Sequence, residues 1–211
     1  MAASACVSRH GHGWNHNIHY HRLVLAAVPR GCQRVLDVGC GEGMLARQLG
    51  SLVPHVVGID QDAASIGLAR RQDPSGVIDF ICGDFLAHPF APASFGMITS
   101  VAALHHMDAR AALARMSQLL APGGTLAIVG LARPRLPIDL PWEAAAVITN
   151  LGYRLTKTYW EHPSPTVWPP PHTYTEMQAL ARQALPGADY RRHVLWRYSL
   201  IWAKPAGRFR T

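Results

Sequence analysis

Three glycines at alternate positions, Gly39, Gly41 and Gly43, follow directly on Arg34-Val35-Leu36-Asp37-Val38. Val35, Leu36 and Val38 are strand formers, the glycines punctuate a turn, and from Met44 to Leu52 apolar residues recur at helical spacing. A glycine turn between strand and helix lets a ligand approach the backbone closely. The helix start behind it offers N–H donors and a positive dipole end to an anionic group. The chemistry this points to is the binding of a nucleoside-bearing cofactor. A second strand pattern, Val56-Val57-Gly58-Ile59-Asp60, ends in an acid 21 positions after Gly39. A carboxylate at that tip can accept from both hydroxyls of a ribose, or simply cap the next helix. Further on, His105 and His106 follow an apolar run over 95–101. Imidazole titrates in the range a general base needs, and either ring could instead serve in packing.

The spacing of the glycines narrows the cofactor. The dinucleotide fingerprint is G-x-G-x-x-G, and its third glycine would fall on Met44. This departs from a nicotinamide-dependent enzyme. Asp37-Val-Gly-Cys-Gly-Glu-Gly43, Val57-Gly-Ile-Asp60, Gly83-Asp-Phe85, the run Ile98 to Met107 with Leu104-His-His106, and Leu120-Ala-Pro-Gly-Gly124 occur in that order. In this the chain resembles the class I S-adenosylmethionine-dependent methyltransferases over residues 34–131. Trp196 to Lys204 is similar to the last strand of many small members. The resemblance implies S-adenosylmethionine as cofactor and a doubly wound α/β fold with a seven-stranded sheet, mostly parallel, ending in an antiparallel hairpin. It also implies a role for each matching position. Asp37, Gly39, Cys40 and Gly41 would line the methionine part of the cofactor, and Asp60 would hold the ribose. Gln61 and Phe85 would flank the adenine, and Asp84 would accept from its amino group. Ser100, Val101 and Ala102 would stand behind the sulfonium, and Tyr20 would touch the methionine carboxylate. For Asp60 and Asp84 the alternative is a helix cap or turn residue, and for Asp37 an internal brace.

The methyl on a cationic sulfur is already activated, so the protein must align an acceptor and exclude water, with a base if the acceptor is a hydroxyl. His105 or His106 is the candidate base. Enzymes of this resemblance that methylate exocyclic amines of nucleic-acid bases carry Asn or Asp, then Pro-Pro and an aromatic, after the fourth strand. Here that place reads Ser100-Val-Ala-Ala-Leu-His-His106, and the Pro-Cys of cytosine-C5 enzymes is missing too. A small-molecule acceptor is therefore expected, with O-methylation ahead of N- or C-methylation. An RNA or protein methyltransferase and a non-catalytic S-adenosylmethionine-binding protein are the alternatives.

Composition bounds the rest. With 49% apolar and 16% charged residues in 211, the chain can bury one sizeable core and is neither disordered nor highly solvated. No apolar run is long enough to span a membrane and the first residues lack a signal-peptide pattern, so a cytoplasmic location is expected. The net charge of +7 could suit nucleic acid, yet only Lys157 and Lys204 are lysines and the arginines are spread out, so no groove-tracking stripe results. Cys6, Cys32, Cys40 and Cys82 form no C-x-x-C pair. Cys40 and Cys82 read as small buried fillers. Oligomeric state is not readable.

The elements that must position these residues alternate. Strand patterns lie near 34–39, 55–60, 77–82, 95–101 and 124–131, with helices near 43–52, 62–71 and 108–121, the last capped by Asp108. This alternation dictates a parallel sheet with right-handed crossovers. A leading helix is expected over 18–28, further helices over 140–153 and 174–185, and strands near 189–196 and 198–204. The last two are joined so tightly that they must be antiparallel. The single domain thus divides into an N-terminal lid segment (1–33), a cofactor core (34–131), and an acceptor-shaping insert with the last strands (132–211). The N-terminal histidines, His10 to His21, could suggest a metal; their irregular spacing favours a lid carrying Trp14 and Tyr20, with no metal. Residues 156–172 hold Tyr159, Trp160, Trp168 and five prolines. Such a stiff aromatic loop either lines an apolar acceptor site or covers the sheet edge.

Overall fold

The computed structural model of the chain describes residues 14–158 and 168–207, so Tyr159 and Trp160 lie outside the described residues. Seven strands form one sheet in the order β3-β2-β1-β4-β5-β7-β6. They are β1 (Arg34–Val38), β2 (His55–Asp60), β3 (Ile78–Cys82), β4 (Phe95–Val101), β5 (Leu120–Gly130), β6 (Asp189–His193) and β7 (Arg197–Ala203). The first five run parallel. β7 is antiparallel to β5 and β6 to β7, as the short 194–196 connection requires. The helices are α1 (His16–His19), α2 (His21–Ala26), α3 (Met44–Gly50), α4 (Ala63–Arg71), α5 (Ala109–Leu119), α6 (Leu140–Thr156) and α7 (Tyr174–Ala184).

Both faces of the sheet are buried because neighbouring strand residues are apolar in both directions. Leu36, Val57, Ile98 and Ile128 face one core with Leu113 and Met116 of α5 and Met177 of α7. Val35, Val56, Met97 and Val129 face the other, with Val24 of α2, Leu45 and Leu49 of α3 and Ile66 of α4. Strand order reverses between β1 and β4, and there the crossovers leave a crevice beyond the strand ends, where ligands bind in open α/β sheets.

Capping sets the helix starts. Asp62 accepts from the N–H groups of Ala64 and Ser65, and Asp108 from that of Ala111. At α7, Thr173 and Glu176 cap reciprocally. Three expectations need correction. The leading helix is two short ones, broken at Tyr20. β5 starts at Leu120 instead of 124, because Leu120 pairs with Phe95 before the register shifts. Cys82 is exposed at the end of an edge strand and is no buried filler.

Candidate active site

The crevice at the reversal is a cavity of about 510 Å³. Its floor is the turn after β1. Gly39, Gly41 and Gly43 all have positive φ, at 71, 53 and 76°, which glycine alone adopts without strain. This turn is braced from β2. Gly39 and Cys40 donate their N–H groups to the carbonyl of Ile59, at 2.8 and 3.2 Å. Gly41 N–H donates to Asp60 Oδ2 at 2.8 Å, and Asp62 N–H to Asp60 Oδ1 at 2.9 Å. Gly39, Cys40, Gly41 and Gly43 thus spend their N–H groups inside the fold. The turn offers a ligand close approach and carboxylates.

Asp37 sits on β1 beneath the turn, 2% exposed, and its Oδ2 has no hydrogen-bond partner. Burial, reinforced by neighbouring Asp60, pushes its carboxyl up to about 7. Burial, then the neighbouring Asp37 and Asp60, drive the Cys40 thiol up. A buried carboxyl with an orphan oxygen beside a second carboxylate suits a cationic or donor-bearing ligand.

The opposite wall comes from the 3₁₀ turn Leu104–His106 after β4. His105 and His106 both line the cavity, with ring centroids 4.0 Å apart. Burial, then His106 and Arg197, push His105 down to about 4, and its Nδ1 has no partner. Burial also lowers His106, while Asp60 opposes the shift. Both imidazoles are therefore neutral near pH 7, the form that accepts a proton.

Eleven of the expected site residues meet here: Asp37, Gly39, Cys40, Gly41, Asp60, Gln61, Phe85, Val101, Ala102, His105 and His106. Five do not. Tyr20 is a core residue whose hydroxyl donates to the Val194 carbonyl at 2.6 Å, so it does not reach the cavity. Ser100 is fully buried inside β4, off the cavity wall. Asp84 is exposed, and its Oδ1 accepts from Leu86 N–H at 2.9 Å, the turn role. Trp14 is buried against Tyr153, rings stacked at 4.8 Å. Trp168 is 62% exposed and does not line the cavity.

The walls that sequence reasoning missed come from the N-terminal helices, from the turns after β4 and β5, and from β7. Asn17 and Ile18 of α1, His21 of α2, Met107 and Leu131 line the cavity, as does Arg197 at the start of β7. Arg197 is buried and donates to Asn17 Oδ1 through Nη2 at 2.6 Å and Nε at 3.2 Å. Because β7 runs against its neighbours, its first residue lies beside the ends of β4 and β5. No motif marks Arg197; the antiparallel turn was the available signal. Among the described residues no three His, Cys, Asp or Glu side chains gather as a metal site. His16 and His21 bond Asn150 and Gln48 on separate helices.

Comparison with known proteins agrees with this architecture. Residues 36–128 match the methyltransferase domain family. An uncharacterized methyltransferase of Mycobacterium tuberculosis is 40% identical over 193 residues, covering 91% of this chain and 98% of that one. An O-methyltransferase of Aspergillus nomiae is 39% identical over 105 residues, 47% of each chain. The crystal structure of the Bacillus subtilis YcgJ protein superposes with a TM-score of 0.59 at 22% identity, covering 82% of this chain and 70% of that one, which supports the fold. With a relative matched nearly end to end and the fold's cavity at the strand-order reversal, the chain belongs to the class I S-adenosylmethionine-dependent methyltransferases.

Proposed function

We propose that the protein transfers a methyl group to a hydroxyl of a small-molecule acceptor held between the histidine turn and the glycine turn. One observation carries the reading: His105 and His106 face the same enclosed space as Asp37, Gly41 and Asp60. Its volume, about 510 Å³, falls within the range of small-molecule sites. The residues fit the cofactor. Asp60 spends one lone pair of each oxygen on the backbone and keeps others for ribose hydroxyls. Asp37 presents an unpartnered buried oxygen toward the cationic end. Gln61 and Phe85 flank the adenine, and Val101 and Ala102 back the sulfur. Bound S-adenosylmethionine supplies an electrophilic methyl on a positively charged sulfur. The protein aligns the acceptor oxygen with it, using Ile18, Met107 and Leu131 as apolar walls. A neutral His105 or His106 takes the hydroxyl proton as the oxygen attacks. The Aspergillus relative, named as an O-methyltransferase, supports this choice of atom over the shared half of the chain.

Two measurements test it. Titration calorimetry should show binding of S-adenosylhomocysteine and none of NAD. An acceptor screen with methyl-labelled cofactor should then find label on a small hydroxylated compound, in a reaction that His105→Ala or His106→Ala slows roughly a hundredfold. Cofactor binding with label only on RNA or protein would sink the small-molecule reading.

A further inference from the structure

We infer that α6 docks this protein onto an anionic lipid surface. α6 runs from Leu140 to Thr156, and Ala146 is its only buried residue. Leu140, Ala144, Val147, Ile148, Leu151 and Leu155 follow helical spacing and share one side. An apolar stripe of this kind ordinarily faces a core. Here it faces solvent: Ile148 is 72% and Leu155 79% exposed. The other side of the helix is the one engaged with the protein. There Glu143 accepts from Trp196 Nε1, Asn150 bonds His16, and Tyr153 stacks on Trp14. Leu136 and Ile138, on the loop leading in, are also exposed. Eight of the eleven large apolar side chains exposed among the described residues lie between Leu136 and Leu155, so the patch is concentrated, not scattered.

Charge selects the occupant. Within 133–158 the exposed charges are Arg133, Arg135, Arg154 and Lys157, all cationic. The two acids of the segment, Asp139 and Glu143, turn inward to Arg192, with side chains 15% and 24% exposed. An apolar stripe with a purely cationic rim matches a membrane interface bearing anionic headgroups, where a helix lies in the plane. A second copy fits poorly, because a twofold interface through this face would set the same cations against each other. None of the described helices is long and apolar enough to cross a bilayer, so this is surface attachment. The opposite side of α6 bonds the cavity-lining His16 through Asn150, which sets the stripe close to the site for a lipid-dissolved acceptor. The docking itself does not depend on the acceptor.

Flotation of the full chain with vesicles tests it. The protein should bind phosphatidylcholine vesicles containing phosphatidylglycerol at least about tenfold more tightly than phosphatidylcholine alone, and lose most of that preference in high salt. Ile148→Glu with Leu151→Glu should abolish flotation while S-adenosylhomocysteine affinity, which reports the cofactor site separately, stays unchanged. Arg135→Glu with Lys157→Glu should remove the preference for phosphatidylglycerol. No flotation on either vesicle, or flotation unchanged in both double variants, overturns the inference. So does a dimer in sedimentation that Ile148→Glu dissociates, which would assign the face to a second copy.

Discussion

Asp37 and Asp60 stand on adjacent strands and do different work because their surroundings differ. Each oxygen of Asp60 accepts a backbone N–H, which ties the glycine turn to β2. Asp60→Ala should therefore weaken S-adenosylhomocysteine binding more than tenfold by calorimetry, since a hydrogen bond to a charged group contributes about 1.5–3 kcal/mol. It should also lower the melting temperature, because two backbone donors lose their acceptor. An unchanged affinity would remove Asp60 from the cofactor site. Asp37 has an orphan oxygen and a carboxyl raised to about 7. An unfolded aspartate ionises near 3.9, so between roughly pH 4 and 7 the folded state holds a proton that the unfolded state lacks. From this group alone, stability falls as pH rises through that window. A cationic ligand favours the ionised form, so affinity for S-adenosylhomocysteine, which retains the amino group, should rise from pH 6 to 8. Asp37→Asn should flatten that rise; a slope equal to wild type would show that another group titrates.

At the scale of elements, the glycine turn and the histidine turn are in contact. A Cβ on Gly39 would lie 2.1 Å from the Cβ of Ala103, the residue that leads into Leu104–His106. Gly39→Ala should therefore cost about 2–4 kcal/mol, from the left-handed backbone and from overpacking. It should also displace His105 and His106, so chemical denaturation and activity should both register it. A variant as stable as wild type would mean that the 103–106 turn yields freely. These elements were readable because local rules specify them: apolar strand runs, the glycine turn, and the cap at Asp108. The eleven residues that meet in the cavity came from one contiguous motif set. What escaped depends on distant partners. Tyr20 looked like a cavity residue until its hydroxyl met a carbonyl 174 positions away. Trp14 reads as an accessible ring, but Tyr153 stacks over it. Arg197 sits in an ordinary strand pattern and enters the cavity only through the reversed direction of β7.

At the scale of the whole molecule, residues 14–27 both line the cavity and pack into the main body. Trp14, Tyr20 and Val24 are buried in the main body, and His16, His21 and Asn17 bond α6, α3 and Arg197. The segment is thus part of the core, so removing residues 14–27 should unfold the protein. Burial lowers the pKa of His16, His19 and His21. Their neutral forms belong to the folded state, so the stability they contribute is complete above the unfolded value of about 6.5 and is lost as pH falls below it. Hydrogen exchange over 14–27 should accelerate between pH 7 and 5 before the β1–β4 amides respond. Simultaneous loss of protection everywhere would show that the segment has no independent opening.

The bond between Asn17 and Arg197 joins residues 180 positions apart. During synthesis the five parallel strands and the glycine turn can assemble while the ribosome is still adding the final strands. The Asn17–Arg197 bond cannot form then, because Arg197 emerges only with β7. A nascent chain can therefore hold its cofactor in an open groove well before it can shut out water. Such a chain would bind without turning over, and stalled chains ending before β6 should retain S-adenosylhomocysteine weakly, with fast release.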